Sequence, residues 1–205
     1  MNGIEKKTSG PRPPARSGPG QTPSAGRVEV AAEAGRQLKA VGRFPLRVVP
    51  QPRSWLGGGR QFGAERGDGR SHAACDLFAP VGTEILAVQD GKVRCDPYAF
   101  HGGTSALELE HTRVDSTGKV VVDFIVRYGE IRGVAAGIRN GVMVKQGQVI
   151  AYVGRLKRSG RSMLHFEMYG PTASGVLTRR DRPPFERDPA LIDPTRYLNT
   201  WANRL

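Results

Sequence analysis

From Phe44 onward the apolar residues come in short runs, PLRVV, EILAV, KVRC, ALELE, DFIVRY, QVIAYV and MLHFEM, with Gly82, Gly91, Gly118, Gly147 and Gly154 marking turns between them. Runs of this length, rich in β-branched and aromatic residues and bounded by glycine, predict short strands. They follow one another without helical segments between them, so an antiparallel β domain is expected rather than alternating βα units. In SMLHFEMYG the period of two places Met163, His165 and Glu167 on one face. Further on, Pro171 to Asp188 reads as an exposed arginine-rich loop, and LIDPTRYLNTWANRL as a short closing helix that begins after Asp193-Pro194. No repeat of 20 to 50 residues is present.

Upstream of Phe44 the pattern dissolves. Residues 1–26 hold five Gly, five Pro, three Ser and no aromatic, too little apolar surface to offset the entropy of ordering. Val28 to Val41 can form one short helix, yet every aromatic lies at Phe44 or beyond. The expected organisation is a flexible Pro/Gly/Arg-rich tail over residues 1–43 and one domain over 44–205, which suits a chain of 205 residues. No stretch approaches the roughly 18 apolar residues of a spanning helix. The start, MNGIEKKTSGPRPP, carries no apolar run after its charges, so the expectation is a chain made in the cytoplasm without an export signal of its own.

Composition narrows the classes. With 27 Gly and 15 Pro a helical bundle or coiled coil is excluded. The formal net charge of +12 suits an anionic partner: nucleic acid, a membrane surface or an acidic wall polymer. Arg outnumbers Lys by 24 to 7 and is scattered over tail and loops, and 7% aromatic content offers no interleaved stacking platform, so nucleic acid is not the expected partner. Cys75 and Cys95 lack the spacing of a zinc knuckle. Two ordinary buried thiols are expected, with a single bridge across the hairpin around Gly91 as the alternative in an oxidising compartment.

Chemistry converges on few residues. The histidines are His72, His101, His111 and His165. His72 and Asp76 form an H-x-x-x-D pair, and His165 lies in the strand described above. Two imidazoles and a carboxylate are natural zinc ligands, and three protein ligands leave a fourth position for water. By spacing alone this is weak, since a strand histidine is more often a hydrogen-bonded core residue.

The order of motifs is more specific. RSHAACDLFAPVGTEILAVQDGKV, GVMVKQGQVIAYVG, LHFEMYG and DPTRYL resemble, in sequence order, segments of the lysostaphin-type or LytM-like zinc endopeptidases, which cut peptide cross-links in bacterial peptidoglycan. The likeness runs from about Phe44 to Leu198. It implies a mostly β fold with a small open antiparallel β-sheet groove, akin to the duplicated hybrid motif, and short peripheral helices. It also implies Zn²⁺ held by His72, Asp76 and His165, and peptidoglycan peptides as substrate.

Departures from that family fall where it carries two assisting histidines, in Y-x-H-L and as the first His of H-x-H. Here Tyr128-Gly129-Glu130-Ile131 puts Glu130 at one, and Met163 stands at the other; Ala74 also replaces a usual glycine. Methionine neither carries a proton nor donates to an oxyanion. A carboxylate beside the metal can act as general base, which makes Glu130 the catalytic candidate, with a fourth metal ligand and a solvated salt-bridging residue as its alternatives. His101 in PYAFHGGTS is a candidate auxiliary donor, His111 is read as structural, and Glu167 as a residue that orients a ligand. The leading expectation is a zinc peptidoglycan peptidase; the alternative is an inactive family member that binds peptidoglycan or a partner protein. A wall substrate without an export signal further suggests delivery to the periplasm or wall of a target bacterium, as an effector of a type VI-like secretion machine with a cognate immunity protein, with a phage-associated lysin released by lysis or puncture as the alternative.

Overall fold

The computed structural model describes residues 42–67, 69–182 and 185–205; the helix expected over Val28–Val41, and all but the last two residues of the expected tail, lie outside them. The strands are β1 (Cys75–Phe78), β2 (Glu84–Leu86), β3 (Gly91–Val93), β4 (Tyr98–Ala99), β5 (Ser105–Val114), β6 (Val120–Val134), β7 (Met143–Val144), β8 (Val149–Val153), β9 (Met163–Tyr169), β10 (Thr178–Arg179), β11 (Glu186–Arg187) and β12 (Leu191–Ile192). Ten pair, all antiparallel, in one sheet with the path β1-β9-β6-β5-β3-β7; β8 joins β6 to β2, β4 lies on β5 and β12 on β9. The antiparallel β fold expected from the runs is formed, as the open sheet that the family resemblance implies.

Every residue of β9 is buried, because β1 and β6 flank it and both its faces are covered. Alternation divides those faces as the sequence foretold. Leu164, Phe166 and Met168 join the main core with Val126, Tyr128 and Trp201, while Met163, His165 and Glu167 take the other side. The closing helix α1 (Thr195–Ala202) starts after Asp193-Pro194, its first N–H bonded to Asp193 Oδ1 at 2.8 Å. It lays Leu198, Trp201 and Ala202 on the sheet, and Trp201 meets Phe166 edge-on with ring centroids 6.3 Å apart.

Strand β1 sits at the sheet edge, where unpaired backbone groups need partners. Ser54, opening the 3-10 turn Ser54–Leu56, supplies both: its Oγ donates to Asp76 O at 2.8 Å and accepts from Phe78 N at 3.0 Å. The turn is anchored in turn by Trp55, whose Nε1 donates to Asn199 Oδ1 of α1 at 3.1 Å. Asp76 is thus fixed from both edges of its strand.

Two expectations are corrected. PLRVV is not a strand: Leu86 N donates to Pro45 O and Arg43 N to Val88 O, but Pro45 has no N–H to continue a ladder; Phe44 and Leu46 are buried in the core and Val49 packs against it. Pro171 to Asp188 is not simply exposed: Ala173 and Leu177 form a second small core with Ile125 and Tyr169, and β10 and β11 pair within the segment. The cysteines are the two free thiols expected rather than a bridge; Cys75 is buried beside Thr195 Oγ1 and Cys95 is partly buried.

Candidate metal centre

The pairing register builds the site. Asp76 of β1 lies opposite His165 of β9, and Gly129 of β6 lies opposite His165 on its other side. His72 arrives from the loop before β1, where its N–H donates to Ala64 O and its carbonyl accepts from Gly63 N, both at 2.8 Å. The three side chains meet at their donor atoms. His72 Nε2 is 3.4 Å from His165 Nδ1 and 3.2 Å from Asp76 Oδ1, and His165 Nδ1 is 3.0 Å from Asp76 Oδ1. Four-coordinate tetrahedral zinc with bonds of about 2.0–2.1 Å keeps its ligands roughly 3.3 Å apart. Donor type, number and spacing therefore fit one zinc ion.

The far sides of both rings are held. His72 Nδ1 faces Gln61 O at 2.9 Å, and His165 Nε2 faces Glu167 Oε1 at 3.0 Å. Such partners fix the tautomer that presents the ligating nitrogen. Glu167 is itself fully buried and accepts from Arg127 Nη1 and Tyr169 OH, each at 2.6 Å, and from Arg187 Nη2 at 3.4 Å. Arg127 in turn bonds Glu108 at 3.2 Å, which also accepts from Tyr98 and Arg94. A chain of buried ionic hydrogen bonds thus runs from His165 across β9, β6 and β5.

Electrostatics follow from this arrangement. Burial opposes charge on His165, yet its bonds to Asp76 and Glu167 outweigh burial and push the imidazole up to about 10. Burial likewise disfavours the two carboxylates, and the histidines and, at Glu167, Arg127 nevertheless hold both well below the usual carboxylate range. The pocket is built to retain positive charge at the point where the donors converge.

Glu130 reaches the same place by a break in the strand. Ser105 pairs with Ile131 but Leu107 with Tyr128, so β6 carries one extra residue here, and Glu130 adopts φ 61°. This is a β-bulge. Strict alternation would put Glu130 on the core side with Val126 and Tyr128; the bulge turns it instead so that His165, Asp76, Arg60 and Arg66 are the charges its carboxyl feels. Burial, aided by Asp76, pushes it up to about 7, and its buried Oε2 has no hydrogen-bond partner among the described residues. The donor group closed within 4.8 Å contains His72, Asp76 and His165 and does not include Glu130. Gly129 is required beside it, since a Cβ there would lie 2.8 Å from Phe100 and 3.2 Å from His165.

The remaining candidates separate. Met163 is buried at the head of β9, 3.6 Å from Arg60 Nη1. His101 opens an exposed 3-10 turn, His101–Gly103, and is not one of the converging donors. His111 is structural: Val88 N donates to Tyr128 OH, leaving that hydroxyl to donate to His111 Nε2 at 2.9 Å while Nδ1 donates to Gln89 O at 2.9 Å. Full burial pushes its imidazole down to about 4.

Sequence reasoning missed Arg60 and Arg66. Arg60 Nη1 donates to Asp76 Oδ2 at 3.0 Å, and Arg66 Nη2 lies 3.8 Å from the same oxygen. Both come from the glycine-rich stretch before His72, where no periodicity reports direction; the only signal was arginine recurring at 60, 66 and 70 just ahead of it.

Comparison with known proteins identifies the family. The profile of peptidase family M23 matches residues 70–176, a span that includes His72, Asp76, Glu130 and His165. The chain is similar to the peptidoglycan DD-endopeptidase ShyB of Vibrio cholerae, 32% identical over 100 residues that make up 47% of this chain and 20% of that protein. Its fold is similar to the solved structure of LytU, with a TM-score of 0.50 and 20% identity over 73% of this chain and 92% of that one. Lysostaphin from Staphylococcus simulans aligns with a TM-score of 0.47 and 20% identity over 81% of this chain and 53% of that one. The chain spans about a fifth of the length of ShyB and about half that of lysostaphin. With more than half of its residues matched by the family profile, across the segment that brings two histidines and an aspartate together, the chain belongs to peptidase family M23.

Proposed function

We propose that the protein is a zinc-dependent peptidase acting on peptidoglycan peptides, with His72 Nε2, Asp76 Oδ1 and His165 Nδ1 as the metal ligands and Glu130 as the base. The observation that carries this reading is the convergence of three donors at tetrahedral spacing beside a buried carboxylate with an unpaired oxygen. Zinc bound there would supply a Lewis acid that polarises a peptide carbonyl and acidifies water near neutral pH. Glu130 holds the proton that a nucleophilic water must lose, and can return it to the departing amine. Glu167 and Gln61 keep the two imidazoles oriented. Met163 takes no part in proton transfer, which leaves Glu130 as the acid–base group of the site.

The test is direct. Purified protein is expected to contain about one zinc per chain and to release new amines from peptidoglycan, and His165→Ala to lose both properties. A zinc-loaded wild type that releases no amine from sacculi of any cross-link chemistry supports the second reading, a binding module that has kept the metal site, which the absence of both assisting histidines at positions 130 and 163 favours. A peptidoglycan-peptide substrate supports a site of action in the periplasm or on the wall of a target bacterium, and we propose delivery there as an antibacterial effector. Expression of the chain with an added signal peptide in a Gram-negative host should then be toxic, expression without one harmless, and His72→Ala harmless in both. Identical growth in all of these cases refutes the effector role.

A further inference from the structure

A hydrolase that forms a tetrahedral intermediate needs a donor for the oxygen that gains charge, and Met163 cannot be one. Arg60 stands beside it. Its Nη1 lies 3.6 Å from Met163 Sδ and donates to Asp76 Oδ2 at 3.0 Å, while its guanidinium carbon lies 5.4 Å from the centre of the Phe78 ring. These contacts fix the plane of a group that has five N–H donors and, among the described residues, spends only part of them. Its side chain is 22% exposed, so the unused donors are not sealed in the core. Arg66 adds a second charge behind it, 3.8 Å from the same Asp76 oxygen and against Gly59, where a Cβ would come within 3.1 Å of Arg66 Nη1. Two guanidiniums thus face one carboxylate oxygen. Asp76 and Glu130 both feel these charges, and Arg60 lies one hydrogen bond away from a metal-binding carboxylate.

We propose that Arg60, with Arg66 supporting its charge, is a catalytic residue that stabilises the oxyanion of the scissile peptide. The inference rests on the peptidase reading above. In the step it serves, the water oxygen forms a bond to the carbonyl carbon, the carbonyl π pair moves onto oxygen, and the water proton passes to Glu130. Arg60 donates to the oxyanion through its free N–H groups. When the C=O bond re-forms, the C–N bond breaks and the proton goes to the leaving amine. Loss of one oxyanion donor typically lowers kcat about 10²–10³-fold.

The experiment compares wild type, Arg60→Ala and Arg60→Lys, each zinc-loaded and checked for folding by circular dichroism. Zinc affinity is measured by chelator competition, kcat and KM on a soluble cross-linked muropeptide, and binding of a phosphinate analogue of that peptide by calorimetry. Arg60→Ala is expected to keep one zinc, to lose about 10²–10³-fold in kcat with KM changed only a few-fold, and to bind the phosphinate more weakly by a similar factor. Arg60→Lys should retain more activity, and added guanidinium should restore part of the loss in Arg60→Ala. Three outcomes overturn the proposal: kcat of Arg60→Ala within a few-fold of wild type, a deficit that saturating zinc abolishes, or a rise in KM at constant kcat. The second would make Arg60 a holder of Asp76, and the third an anchor for a substrate carboxylate. A wild type that releases no amine defeats the peptidase reading and this inference with it.

Discussion

Replacing Glu167 with glutamine tests whether the buried ionic chain holds His165 in place. The change keeps shape and removes one charge. Four donors converge on the two oxygens of Glu167: His165 Nε2 and Arg187 Nη2 on Oε1, Arg127 Nη1 and Tyr169 OH on Oε2. A glutamine offers one oxygen, and whichever way its amide turns, its NH₂ faces two donors. The oxygen will turn toward Arg127, the stronger cation, leaving His165 Nε2 opposed to an N–H group. Removing one partner of a buried ion pair costs about 3–5 kcal/mol, a large share of the roughly 5–15 kcal/mol that stabilises a domain. The loss of the ring's anchor should weaken zinc binding about 10–100-fold. Urea unfolding of the metal-free protein reads the first quantity and chelator competition on folded protein the second. The pH dependence has a defined sign. The carboxyl is held below its usual range, so its contribution is present above about 4.5 and lost as pH falls below that, a limb that Glu167→Gln should lack. A variant within 1 kcal/mol of wild type that binds zinc equally well would refute the reasoning.

Glu130→Gly should remove both the φ 61° strain and the orphaned Oε2, raising stability by about 1 kcal/mol in thermal or urea unfolding while abolishing turnover; a less stable variant contradicts the strain. Because Glu130 must be ionised to accept a proton, activity should fall as pH drops, with a midpoint at or below about 7, since a divalent cation nearby favours the carboxylate over the metal-free value; a pH–rate profile flat down to pH 4 contradicts this. His111 is pushed down to about 4 against an ordinary 6.5, so the unfolded chain binds the extra proton and stability should decline by up to about 3 kcal/mol as pH falls from 6.5 to 4, less in His111→Gln; equal slopes for the two proteins contradict it.

Period-two patterning was enough to read β9 with its faces assigned, and H-x-x-x-D with the strand histidine pointed only weakly to the three donors that the order of family-like motifs then singled out. Both signals are local in sequence. What stayed hidden depends on register or on exceptions to periodicity. The bond between Arg127 and Glu108 joins residues on different strands and is visible only once β5 and β6 are aligned. Alternation assigns Glu130 to the core side, and the extra residue of the bulge reverses it without leaving a mark in the hydrophobic pattern. The run PLRVV failed because apolar content says nothing of the missing Pro45 N–H. The segment from Pro171 to Asp188 concealed two buried residues, Ala173 and Leu177, too sparse among arginines to show a period. Arg60 and Arg66 lie among glycines, where direction is set by turns rather than by patterning.

The central claim is that one zinc ion and Glu130 divide the chemistry, and the zinc content and turnover of Glu130→Gln, measured on the same preparation, test it most directly. The account predicts about one zinc per chain, as in wild type, and no detectable release of amines from peptidoglycan. Loss of zinc from the variant would make Glu130 a fourth ligand, and turnover within a few-fold of wild type would remove it from catalysis; either result contradicts the account.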